Sequence, residues 1–226
     1  MRGRRVVFGS SGFLFRSNKL MYDQETRSLW HHLRGEPVVG SLADSGIRLV
    51  PRPVVTTTWA EWRRQHPGTV VLDINTGYRR DYTPGRPYGS YYASPKTMFP
   101  VFPRSPRLAT KDVVFVLRLD PHRKVYPLAI FDPVAVLNDS VAGTAVVLVG
   151  QASSRTVRAY AREGFTFRKG AGQDELAESD TGAPWRIGED ALARAGDGKR
   201  LPRIAGHNAF WFGWFAFHPD TPVYGR

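Results

Sequence analysis

Residues 56–72, TTTWAEWRRQHPGTVVL, and residues 208–224, NAFWFGWFAFHPDTPVY, carry the same pattern. Both read Trp-x-x-Trp-x-x-x-His-Pro-x-Thr-x-Val, and matched positions lie a constant 152 residues apart. The matched residues are Trp59, Trp62, His66, Pro67, Thr69 and Val71 with Trp211, Trp214, His218, Pro219, Thr221 and Val223. Because self-similarity at a fixed offset is typical of a duplicated unit, the pattern predicts an internal repeat.

The match extends upstream of the two helix-like stretches. Trp30 at the end of TRSLW matches Trp185 at the end of TGAPW, so all six tryptophans of the chain fall into pairs. An indole buries roughly 150–250 Å² when it packs in a core. We therefore expect the six to form the structural core of the repeat, namely Trp30, Trp59, Trp62, Trp185, Trp211 and Trp214.

The first stretch has the start and stop residues of a short helix. Thr58 stands at the N-cap with Glu61 three residues later, as in a capping box, and Pro67 disfavours helix beyond His66. A helix of about two turns is too short to persist alone. Trp59, Trp62 and His66 share one face, so burial of that face is expected to hold the helix in place.

The fold class predicted from these features is β-rich α+β. Two repeated units, related by a pseudo-two-fold axis, would each end in a short Trp-x-x-Trp helix. The first unit is assigned to residues 1–82 and the second to residues 113–226, joined by a Pro/Gly-rich surface connector over residues 83–112. Residues 8–12, FGSSG, are predicted to form a tight turn between two strands.

The charge and residue composition bear on which partners and which kinds of site the chain can have. The net charge is +12, of which +10 falls in residues 1–113, but arginine supplies 26 of the 32 basic residues and these are scattered rather than clustered. No nucleic-acid-binding motif accompanies them, so a nucleic-acid partner is not expected. The chain has no cysteine, which excludes disulfides and thiolate ligands, and no apolar run approaches the ~20 residues of a membrane span.

Several segments together resemble a family of bacterial and archaeal proteins called domain of unknown function 3179. They are FGSSGFLFRSNKLMYDQETRSLW, GEPVVG and TWAEWRRQHPGTVVL in the first half, and KVYPLAIFD, VLNDSVAGTAVVLV and FWFGWFAFHPDT in the second. The resemblance implies an extracytoplasmic location, although the opening residues lack the pattern of a secretory signal. It supplies no activity.

The sequence departs from that family in its first half. Family members open with a Tyr-Pro-Leu, Asn-Asp and Gly block followed by Cys-Pro-Leu-Cys. Here only the second half carries the block, at Tyr126, Asn138 and Gly143, and without cysteines. We therefore expect an incomplete first repeat with an unpaired sheet edge, covered by residues 83–112 or by a protein partner.

No catalytic motif stands out, so catalytic residues are not assigned and no cofactor is predicted. The residues that could ligate a metal are Asp23, His31, His66 and His218. A helix C-terminus gives His66 and His218 an alternative structural role, because an imidazole there can bond free carbonyls.

Three functions remain open. The first is a non-enzymatic binding or assembly module or an accessory subunit of a larger complex. The second is a metal-binding protein or enzyme with a site in a cleft between the repeats. The third is a binder of an acidic polymer, which the basic first half would favour.

Overall fold

A computed structural model describes residues 5–133 and 135–226 of the chain. The described residues form fifteen β-strands, three short α-helices and one 3-10 helix, Leu128–Phe131, so the expected β-rich character is confirmed. The strands are β1 (Phe8–Phe15), β2 (Asn18–Asp23), β3 (Leu29–His31), β4 (Glu36–Val39), β5 (Val113–Leu119), β6 (His122–Pro127), β7 (Ala135–Val141), β8 (Thr144–Gln151), β9 (Thr156–Ala161), β10 (Phe167–Lys169), β11 (Glu175–Glu178), β12 (Pro184–Ile187), β13 (Ala191–Arg194), β14 (Arg200–Pro202) and β15 (Gly206–Phe210). The α-helices are α1 (Trp59–Gln65), α2 (Gly89–Ala93) and α3 (Trp211–Phe215). No helix among the described residues is of the length and apolarity that a bilayer crossing demands.

The strands form four sheets. A meander of β1-β2-β3-β4 and a second meander of β10-β11-β12-β13-β14 are the two larger sheets. Two three-stranded sheets have the orders β15-β5-β6 and β7-β8-β9. The strand pairs β1–β2–β3–β4 and β10–β11–β12–β13–β14 are all antiparallel, as short connections between successive strands require.

The expected turn at residues 8–12 is wrong. This stretch belongs to the single strand β1, and the pairing of β1 with β2 is irregular between Ser10 and Leu14. Gly12 has a φ of 78°, which only glycine adopts at no steric cost. The strand therefore absorbs its glycine as a bulge, and the chain reverses later, at Arg16 and Ser17.

The chain divides into two compact units that are discontinuous in sequence. The first unit contains the chain up to Arg52 with Phe99–Asp112 and Ala209–Thr221. The second unit contains Pro53–Met98, Val113–Asn208 and Pro222–Arg226. These limits differ from the boundaries at 82 and 113 expected from the sequence. The reason is that each Trp-x-x-Trp helix packs in the unit that holds the other half's meander: α3 joins the first unit and α1 the second.

The first unit has a core centred on tryptophans. Trp30 from β3 is buried, as are Trp211 and Trp214 from α3. Val101 and Leu108, from the segment expected to be a surface connector, are buried in the same unit. That segment is therefore partly a core element, because Val101 and Leu108 pack in the interior while Phe102 between them stays exposed.

Two apolar clusters lie among the described residues of the second unit. One contains Phe115, Tyr126 and Phe131, and the other is built around Trp185. Phe131 lies so close to Gly150 that an added Cβ would stand 2.4 Å from its ring. Glycine at position 150 is thus required by the packing of this core.

Helix α1 begins where the capping pattern predicts. Thr58 accepts a hydrogen bond from the Glu61 backbone N–H at 3.2 Å, and the helix ends at His66. The expected burial of its tryptophans is wrong, since Trp59 is 48% exposed and Trp62 is 37% exposed. Helix α1 buries none of its residues, and local caps and ion pairs hold it instead.

Candidate functional site

Asp23 and its neighbours form a closed hydrogen-bonded cluster in the first unit. One carboxylate oxygen of Asp23 accepts from the Thr26 N–H at 2.6 Å, and the other accepts from the Thr26 hydroxyl at 2.7 Å and from Trp30 Nε1 at 3.0 Å. Burial acts to raise the pKa of Asp23, but the hydrogen bonds from Thr26 and Trp30 outweigh it and hold the pKa below its ordinary value. The carboxylate is thus a structural acceptor that orients the Trp30 indole.

Glu178 forms the same cluster in the second unit. It accepts from the Thr181 hydroxyl at 2.6 Å and from Trp185 Nε1 at 2.8 Å, and Arg194 adds an ion pair at 3.1 Å. The hydrogen bond from Thr181 contributes most to lowering the pKa of Glu178. Sequence reasoning missed Glu178, although an acidic residue three before a threonine and seven before a tryptophan occurs in both halves.

His31 is buried and neutral. Its Nδ1 accepts from the Arg34 N–H at 3.1 Å, its ring centroid lies 3.9 Å from that of Phe217, and its Nε2 is buried without a hydrogen-bond partner. Burial lowers the pKa of His31 to about 3, and the charges of nearby His32, Arg34 and His218 act in the same direction. An imidazole in this setting fills space and positions the following turn.

His66 and His218 each pack on a tryptophan of their own motif. The centroid of the His66 ring lies 4.1 Å from Trp62, and that of His218 lies 4.3 Å from Trp214. Within residues 5–133 and 135–226, no three His, Cys, Asp or Glu side chains group as metal ligands would. The proposed ligands Asp23, His31, His66 and His218 are therefore not brought together in one such group.

The two Trp-x-x-Trp motifs make the same internal contacts. Trp62 Nε1 donates to the Thr69 hydroxyl at 2.9 Å, and Trp214 Nε1 donates to the Thr221 hydroxyl at 3.1 Å. The Thr69 N–H donates to the His66 carbonyl at 3.1 Å, and the Thr221 N–H donates to the His218 carbonyl at 3.2 Å. Each helix is thus followed by a turn of the same construction.

The surroundings of the two motifs are different. Residues 99–112 cover α3: the Trp211 N–H donates to the Asp112 carbonyl at 2.8 Å, and the Arg107 guanidinium lies 5.1 Å from the Trp211 ring centroid. The same arginine donates to the Thr221 carbonyl at 2.9 Å. Trp211 and Trp214 are consequently no more than 1% exposed, whereas the matched Trp59 and Trp62 are 48% and 37% exposed.

The segments that follow the helices differ in the same way. Val223 forms a parallel bridge with Val125 of β6 and is buried, and Tyr224 stacks on Tyr126 at 5.5 Å. The matched residues Val70, Val71 and Leu72 lie outside the strands, and they are 90%, 69% and 92% exposed. We call Trp59, Trp62, Val70, Val71 and Leu72 together the exposed motif surface.

The polar face of α1 borders a cleft in the second unit. The cleft has a volume of about 680 Å³, and its charged lining residues are Glu61, Arg64, Arg158, Lys169 and Asp174. Arg64 pairs with Glu61 and with Asp174, each at 2.6 Å. The hydrogen bond from Arg64 contributes most to lowering the pKa of Glu61. These pairs attach α1 to the cleft by its polar face, while Trp59 and Trp62 stay partly exposed.

The fold and these clusters define a β-rich protein built on paired carboxylate–threonine–tryptophan and Trp-x-x-Trp motifs. The chain belongs to the family described as protein of unknown function (DUF3179), whose model matches residues 1–221. The family resemblance inferred from the sequence is thereby confirmed. No curated protein matches the chain, and no solved structure does.

Proposed function

We propose that this protein is a non-enzymatic assembly module that binds another polypeptide through the exposed motif surface. The proposal includes the internal duplication, by which positions separated by 152 or 155 residues have a common origin. Support comes from the matched hydrogen bonds of Trp30 with Trp185 and of Trp62 with Trp214. These pairs occupy equivalent places in the two motifs.

One observation carries the proposal: tryptophans and apolar residues that are buried in one motif are exposed at the matched positions of the other. In each unit the cover is polypeptide: residues 99–112 lie on Trp211 in the first unit, and strand β6 lies beside Val223 in the second. The motif around α1 has the same two indoles and is followed by the apolar residues 70–72, but these side chains are exposed. Polypeptide is therefore the kind of surface that these side chains fit.

The distribution of exposed apolar side chains in the second unit points to the same face. Among its described residues, all the large hydrophobic side chains that are exposed come from Pro53–Met98, and none from Val113–Asn208. They are Val54, Trp59, Trp62, Val70, Val71, Leu72, Ile74, Tyr78, Tyr82, Tyr88, Tyr92 and Met98. Concentrated exposed apolar groups mark interaction sites, and tryptophan and tyrosine are enriched at interface hot spots.

The alternative of a metal site gains no support from the described residues. Asp23 has its oxygens engaged by Thr26 and Trp30, and His31 is held neutral by burial. The cleft gives no support to an acidic polymer as ligand, since Arg64 and Arg158 there are each paired with carboxylates. We therefore propose the assembly role alone.

Site-specific photocrosslinking of the full chain in its source cells tests the proposal. A benzophenone amino acid at position 62 samples the tryptophan side of α1, and one at position 60 samples the polar side, where Ala60 borders the cleft. We expect position 62 to capture a second protein at a defined mass and position 60 to give far less of it. Capture of no protein at position 62, or equal capture at both positions, would contradict the assembly role.

A further inference from the structure

Residues 222–224 show how the chain after a Trp-x-x-Trp helix pairs with a strand. The Val125 N–H donates to the Pro222 carbonyl at 2.9 Å, and the Tyr224 N–H donates to the Val125 carbonyl at 2.8 Å. The two segments run parallel, with Val125 opposite Val223. Val125 alone thus donates to the carbonyl at position 222 and accepts from the N–H at position 224.

Residues 70–72 leave their helix through a turn of the same construction. Thr69 binds the His66 carbonyl and the Trp62 indole, as Thr221 does with His218 and Trp214. At the constant separation of 152 residues, Val70, Val71 and Leu72 match Pro222, Val223 and Tyr224. The backbone carbonyl of Val70 and the N–H of Leu72 therefore match the groups that pair with Val125.

From this match, and resting on the assembly role proposed above, we infer that the partner adds an extended strand parallel to residues 70–72. A single partner residue donates its N–H to the Val70 carbonyl and accepts from the Leu72 N–H. Strand addition of this kind gains affinity from main-chain hydrogen bonds and specificity from alternate side chains. The edge of residues 70–72 is the docking site.

The contacts that Val125 and Tyr126 make with Val223 and Tyr224 also indicate which side chains the partner strand carries. A β-branched residue stands opposite Val71, as Val125 does opposite Val223, and an aromatic residue follows it to pack on Leu72, as Tyr126 stacks on Tyr224. β-Branched and aromatic residues are also those that favour extended backbone. The partner strand therefore reads as β-branched followed by aromatic.

Strand β6 of a second copy cannot supply this strand, because its Val125 already pairs with Pro222 and Tyr224 of its own chain. The proposed occupant is a strand of a different polypeptide. Pairing of two copies through their own residues 70–72 is a separate outcome, which the experiment below recognises as self-association.

The probe is a blocked synthetic peptide with the sequence of residues 123–128, Arg-Lys-Val-Tyr-Pro-Leu. Its binding to the full chain is measured by calorimetry, and the site by hydrogen exchange of the Leu72 amide. We expect saturable binding below about 1 mM with protection of that amide. A control peptide N-methylated at its valine cannot donate the bond to Val70, and should bind at least about tenfold more weakly.

Two proline variants give a matched control in the protein. Leu72→Pro removes the N–H that the strand uses and should weaken binding about tenfold or more. Val70→Pro places at position 70 the residue found at the matched position 222, which offers only its carbonyl, and should bind like the unmodified chain. Both sites are exposed and outside the strands, so neither proline disturbs a sheet.

The possible results separate the two proposals. Failure of the peptide to bind, equal effects of the two prolines, or concentration-dependent self-association without peptide binding would each overturn strand addition. If the crosslink at position 62 still captures a protein, the assembly role stands without it. If that crosslink also fails, both proposals fall.

Discussion

Replacing Trp30 by phenylalanine and Asp23 by asparagine tests whether the buried carboxylate–indole pair stabilises the first unit. Phenylalanine retains an aromatic body against Phe8, whose ring centroid lies 5.3 Å from that of Trp30 in an edge-to-face contact. The substitution removes only the indole N–H and part of the ring. Asparagine is nearly isosteric with Asp23 but lacks the charge.

The expected loss of stability follows from the hydrogen bond between Trp30 and Asp23. Trp30 Nε1 and Asp23 are both buried, and a hydrogen bond to a charged group contributes about 1.5–3 kcal/mol. Each single substitution should therefore lower the free energy of unfolding by about 2–4 kcal/mol. The double variant should be less destabilised than the sum, because the bond can be lost only once. The coupling energy should be about 1.5–3 kcal/mol.

Native-state hydrogen exchange on the amides of β2 and β3 measures this coupling, because it reports the opening of the first unit separately. The matched pair in the second unit, Glu178→Gln with Trp185→Phe, provides a control that should give a coupling of the same sign. A coupling below about 0.5 kcal/mol for Asp23 and Trp30 would refute the reasoning.

Three further predictions concern stability. Trp214→Phe removes a buried indole hydrogen bond and should cost about 1–2 kcal/mol, whereas the matched Trp62→Phe at an exposed site should stay within about 0.5 kcal/mol in urea unfolding. Gly150→Ala would drive a methyl group against Phe131 and should destabilise the second unit by about 1–3 kcal/mol, measured by hydrogen exchange of β8; an unchanged exchange rate would contradict the packing. Burial lowers the pKa of His31 to about 3. Between about pH 6.5 and 3 the unfolded chain therefore binds a proton at this imidazole and the folded chain does not. The free energy of unfolding should accordingly fall as the pH is lowered through that range, by up to about 1.4 kcal/mol per pH unit. His31→Phe should reduce that slope in urea titrations, and equal slopes for the variant and the unmodified chain would be the contrary result.

Features set by neighbouring residues were predictable from the sequence. The Thr58 cap and the end of α1 before Pro67 follow from hydrogen bonds and steric rules within a few residues. The β-rich character follows in the same way from short runs of β-type residues between turns. Glu178 was missed because glutamate stands where the first half has Asp23, and the shared spacing to a threonine and a tryptophan shows its meaning only through the hydrogen bond to the indole.

The sequence by itself therefore determined the paired motifs, the tryptophan pairing and the family. The tertiary structure decided which tryptophans are buried and which unit each helix joins. Trp62 and Trp214 have the same local sequence pattern and the same bond to threonine, yet one is 37% exposed and the other is fully buried. The physical reason is that burial depends on what packs over a side chain: residues 99–112, far away in the sequence, cover α3, while no comparable segment buries a residue of α1.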